Sequence, residues 1–138
     1  MSVKGTLIPI GGNEDKGLNQ SENYTLDYIE DGILSHVVRE AGGTDANILI
    51  VPTASSIPIE VTDNYLQAFT KLGCTNLHVA DIRKREDSET EHTIKLFEQA
   101  DAVMFSGGDQ SNIVKCIGGT VIHEILADRY KNENFVIA

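Results

Sequence analysis

The sequence predicts an α/β fold: a three-layer α/β/α sandwich around a mostly parallel sheet. Three observations carry this. Strand-like and helix-like segments alternate with short connections, which is the pattern of βαβ crossovers. The run Asn47–Val51 (NILIV) is continuously apolar, as in a parallel strand covered on both faces. Glycine-rich turns follow two of the strand-like segments, at Gly11-Gly12 and at Gly107-Gly108.

Gly5–Ile10 (GTLIPI) reads as the first strand, and a polar loop over Asn13–Asn23 follows. From Tyr24, apolar residues at Leu26, Ile29, Ile33, Leu34, Val37 and Val38 recur at helical spacing until Gly42-Gly43 supplies a stop. After NILIV and Pro52, a helix is expected over Ile59–Leu72, a strand over Asn76–Ala80 and a charged turn over Arg83–Asp87. Thr90–Ala100 is then a helix, and Asp101–Phe105 (DAVMF) a strand. Ser106–Gln110 is a tight turn, and Ser111–Tyr130 a helix interrupted at Gly118-Gly119. Phe135–Ala138 is the fifth strand.

The 138 residues suffice for one domain, 1–138, with 41% hydrophobic and 23% charged residues, an ordinary globular balance. Eleven basic against 21 acidic residues give a net charge of −10, which disfavours nucleic acid and anionic membrane as partners. No apolar run is long enough for a membrane span or a signal-peptide core, so a cytoplasmic location is expected. Cys74 and Cys116 lack any metal-ligand or CxxC spacing and read as buried free thiols. His36, His78, His92 and His123 show no metal spacing either, and neither a metal nor an organic cofactor is expected.

In open α/β sheets, ligands bind beyond the carboxyl ends of the strands. The loops to search therefore begin at Gly11, Pro52 (PTAS), Asp81 (DIR) and Ser106 (SGGDQ). Gly11-Gly12 fits neither GxGxxG nor the Walker pattern. Glu14 and Asp15 read as solvated acids, and Ser55 lacks the glycine-flanked elbow of a nucleophile and reads as a turn or cap. FSGGDQSN is the most informative stretch: Gly107 and Gly108 can present bare N–H groups to an oxyanion, Asp109 can cap the following helix, and Gln110 offers an amide. A sheet strand at Phe135–Ala138 with no following helix would leave apolar surface uncovered, so the sequence reads as a portion of a larger fold. The competing reading is a short protein whose last strand is a sheet edge.

Taken together, IGGNEDK, AGGTDANILIVPTAS and FSGGDQSNIVKCIGGT resemble the cyanophycinases, which belong with dipeptidase E among serine peptidases of class I glutamine-amidotransferase-like fold. The resemblance spans nearly the whole chain. It implies that the strand at Phe135–Ala138 leads into a Gly-Thr-Ser-Ala-Gly elbow beyond the last residue, with the triad histidine and acid further on, so that residues 1–138 alone are inactive. It implies that Gly107 and Gly108 contribute backbone to an oxyanion hole and that Asp109 and Gln110 contact a peptide substrate of β-aspartyl-arginine type, cleaved through an acyl-enzyme. It also implies a homodimer. Three alternatives stay open: a non-catalytic ligand- or partner-binding module of the same fold, an α-aspartyl dipeptidase, and a relative with a cysteine nucleophile.

Overall fold

The computed structural model describes residues 2–10 and 32–138. The glycine turn at Gly11-Gly12, the acids Glu14 and Asp15, the polar loop and the Tyr24–Ile29 part of the first helix lie outside the described residues. Within them the chain runs β1 (Thr6–Leu7), α1 (Ile33–Ala41), β2 (Ile48–Val51), α2 (Pro58–Lys71), β3 (Leu77–Val79), a 3-10 turn (Arg85–Glu89), α3 (Glu91–Gln99), β4 (Ala102–Phe105), α4 (Gln110–Ile117), α5 (Val121–Asn132) and β5 (Val136–Ile137).

All four strand pairings are parallel, and the order across the sheet is β1-β5-β4-β2-β3. Each strand is buried according to its side-chain alternation. Ile48 and Ile50 of β2, Ala102 and Met104 of β4 and Val136 of β5 face one layer, where Leu34 and Val37 of α1 and Tyr65 and Phe69 of α2 cover them. Leu49, Val51 and Val103 face the opposite layer, against Phe97 of α3, Cys116 and Ile117 of α4, and Ile122 and Leu126 of α5. Strand neighbours thus belong to opposite cores, which is how a period of two produces two helical layers on one sheet. Both cysteines are free and buried.

Helix ends follow local chemistry. Gly42 stops α1 in the left-handed region at φ +113°, with its N–H bonded to the Arg39 carbonyl and that of Gly43 to the Val38 carbonyl. Thr90 caps α3 by accepting from the Thr93 N–H at 3.2 Å. The segment expected to be a charged turn forms a 3-10 turn because Asp87 Oδ2 accepts from the N–H groups of Arg83 and Lys84, at 2.9 and 3.1 Å. Those bonds hold the Asp87 carboxyl below its ordinary range, the Arg83 N–H foremost.

The last strand is not at the sheet edge where the competing reading put it: β5 lies between β1 and β4. Its position is fixed on both sides, by Thr6 N–H to the Phe135 carbonyl at 2.8 Å and by Ala138 N–H to the Val103 carbonyl at 2.9 Å. Phe135 is fully buried, and the Arg129 guanidinium of α5 lies 4.3 Å from its ring centre while donating to the carbonyls of Phe97 and Ala100. Among the described residues, no helix is long and apolar enough to cross a membrane.

Candidate active site

The turn after β4 is held at its two ends and open in the middle. Ser106 N–H donates to the Val51 carbonyl at 3.1 Å, and Asp109 N–H donates to the Ala54 carbonyl at 2.8 Å. Between these anchors, the N–H groups of Gly107 and Gly108 have no acceptor among the described residues. Both glycines are exposed while Ser106 is buried. Two anchored amides therefore suspend, at the carboxyl edge of the sheet, two donors with no acceptor among the described residues.

Gly108 cannot be another residue without moving backbone. Its φ is +138°, and a Cβ built there would stand 2.2 Å from the Ala54 carbonyl oxygen and 3.0 Å from Ser55 Cα. Backbone cannot yield as a flexible side-chain end can, so the β4 turn meets the β2 loop in a contact that only glycine permits. This nonlocal contact is not visible in the local SGGDQ pattern.

The turn also adjoins the end of β5. Phe105 N–H donates to the Ala138 carbonyl at 2.8 Å, so the residue before the turn is bonded to the residue that follows β5. Beside it lies an apolar hollow of about 350 Å³ lined by Leu7, Phe105, Ile113, Ile137 and Ala138. The hollow, the bare amides and the end of β5 occupy one corner of the sheet.

Asp109 is the N-cap of α4. Its Oδ1 accepts from Ser111 N–H at 2.9 Å and from the Ser111 hydroxyl at 2.6 Å. The same bonds, the hydroxyl first, hold its carboxyl below the ordinary range. Gln110 opens the helix and is exposed. Ser55 behaves as a turn residue, its Oγ accepting from Ile57 N–H at 3.0 Å. His123 Nδ1 accepts from Gly119 N–H at 3.0 Å, a bond that supports the break between α4 and α5. His36, His78 and His92 lie at α1, β3 and the first turn of α3.

Residues 19–138 match the family model described as Peptidase family S51. The chain belongs to that family. It is 31% identical over 129 residues to the cyanophycinase of Geminocystis herdmanii, covering 94% of this chain and 43% of that protein. It is 28% identical over 137 residues to the cyanophycinase of Trichormus variabilis, covering 99% of this chain and 42% of that one. The S51 chain therefore spans less than half the length of these curated relatives. Among solved structures, the crystal structure of a peptidase from an acI-B1 actinobacterium superposes with a TM-score of 0.63 at 19% identity, over 81% of this chain and 46% of that one. That likeness supports the α/β fold.

Proposed function

We propose that residues 1–138 form the oxyanion-stabilising and substrate-binding part of a cyanophycinase-like serine peptidase, which hydrolyses a polymer of β-aspartyl-arginine units to dipeptides through an acyl-enzyme. The observation that carries this reading is the pair of N–H groups at Gly107 and Gly108 that have no acceptor among the described residues, anchored on both sides, with the preceding Phe105 bonded to Ala138 at the end of β5.

Acyl transfer from a serine needs a base to take the hydroxyl proton and donors aimed at the oxygen that becomes negative. Gly108 N–H supplies one donor on this reading. The second is the N–H that follows the nucleophile on an elbow leaving β5. The hydroxyl attacks the main-chain carbonyl carbon of an aspartyl residue whose β-amide to arginine stays intact, and the base carries the hydroxyl proton to the departing main-chain amine of the next residue. Water then attacks the ester, releasing the aspartyl product and the serine. Gln110, at the start of α4, orients the peptide, and Asp109 sets the turn by capping that helix. Nucleophile, base and acid all come from chain beyond Ala138, so residues 1–138 alone hydrolyse nothing.

A serine-directed fluorophosphonate tests this on the intact protein, with a β-aspartyl-arginine polymer as substrate. A single adduct mapping beyond Ala138, together with loss of dipeptide release, is expected. Modification at Ser55, Ser106 or Ser111, or release that survives complete labelling, would overturn the reading. Cleavage of α-aspartyl peptides in preference to the polymer would replace the substrate while keeping the chemistry.

A further inference from the structure

On the far side of the Gly108–Ala54 contact, the β2 and β3 loops enclose a second cleft. It has a volume of about 220 Å³ and is lined by Thr53 and Ser55 from one loop, Asp81 and Arg83 from the other, and Asn112 from the first turn of α4. A further hollow of about 160 Å³ adjoins it across Asp81 and Arg83.

Thr53 makes this cleft more than a gap between loops. The residue is only 8% exposed, and among the described residues its hydroxyl has no hydrogen-bond partner. A buried hydroxyl left unpaired is costly, so such a group normally serves a ligand or a water. Arg83 supplies the charge. Its Nε donates to Asp81 Oδ1 at 2.8 Å, which holds the guanidinium by its stem side. The two terminal nitrogens keep their N–H groups, and no partner accepts from them among the described residues. Ser55 Oγ accepts from backbone and so retains its own proton to donate. Asn112 can add an amide N–H. The free capacity of the cleft is donor-rich and centred on one guanidinium, which matches a carboxylate.

We infer that this cleft is a carboxylate subsite for the peptide, in which Arg83 and the Thr53 hydroxyl hold an acidic group remote from the bond being cut. The inference rests on the peptidase reading for its place in catalysis. A β-linked aspartyl-arginine unit leaves the arginine's own carboxylate free, so each neighbouring branch of such a polymer carries the required group. Strands about 4.8 Å apart put the cleft, above β2 and β3, roughly 12 Å from the end of β5. An extended peptide crosses that span in about three to four residues.

The test is a titration of the intact protein, followed by amide NMR, with acetyl-aspartyl amide and with acetyl-asparaginyl amide. These differ only in carboxylate against carboxamide. The aspartyl probe is expected to shift Thr53, Arg83 and Asn112, with the asparaginyl probe at least tenfold weaker. Arg83→Gln, at an exposed position, should weaken the aspartyl probe tenfold or more, and Thr53→Val by a smaller factor. Equal response to both probes, or affinity unchanged in Arg83→Gln, would overturn the subsite. The readout needs no turnover: binding of the aspartyl probe by a protein that cleaves no peptide supports the subsite and sinks the peptidase reading instead.

Discussion

Gly42 and Gly108 both sit in the left-handed region, at φ +113° and +138°, yet they are glycine for different reasons. Among the described residues nothing stands within 4 Å of a would-be Cβ at Gly42, and the residue ends α1. At Gly108 the same atom would collide with the Ala54 carbonyl, in the loop of another strand. One glycine satisfies its own backbone. The other joins two loops whose closeness sets the candidate site, and sequence alone gives the two the same look.

The largest expected effect comes from substituting the pair in the intact protein. Gly42→Ala carries only the left-handed penalty, about 1–2 kcal/mol, and should leave hydrolysis unchanged. Gly108→Ala adds displacement of the β2 loop and misdirects the N–H groups, so peptide hydrolysis should fall by about 10²-fold or more, the scale of losing one oxyanion donor. Urea unfolding and kcat/KM on the two variants check this. Equal losses of activity would erase the distinction between them.

A smaller effect sharpens the same comparison at the exit of the turn. Asp109 accepts from Ser111 and is held below the ordinary carboxylate range. The sign follows: a carboxyl lowered on folding stabilises the protein above its unfolded value, and that contribution is lost as pH falls through the lower folded value. Asp109→Asn keeps an acceptor for the Ser111 N–H but does not titrate. The stability difference between wild type and Asp109→Asn should therefore be constant near neutrality and shift against the wild type below about pH 4, the ordinary carboxylate range. A difference that stays flat into acid would show that the cap is not ionic.

Much of the fold was legible because its signals are local. NILIV reads as a doubly covered strand, and Ile48, Leu49, Ile50 and Val51 are each at most 1% exposed. The Gly42-Gly43 stop and the break at Gly118-Gly119 fall where glycines interrupt helical spacing. Asp109 could be read as a cap from its place before an apolar helix. What depends on distant chain could not be read. Strand order is nonlocal, so periodicity left open whether β5 lay inside the sheet or at its rim. The Gly108–Ala54 contact joins residues 54 positions apart, and the cleft at Thr53 and Arg83 needs two loops brought together by the pairing of β2 with β3. The sequence pointed to the PTAS and DIR loops as places to look, but the unpaired Thr53 hydroxyl appears only once both are folded.

The central claim is that the Gly107 and Gly108 amides face the reacting carbonyl. The most direct measurement is a crystal structure of the intact protein with a peptide boronic acid, whose tetrahedral adduct mimics the intermediate. The account predicts a boronate oxygen about 2.7–3.1 Å from Gly108 N. An adduct whose oxygens all point away from the turn, with Gly108 N–H still unpaired, would contradict it.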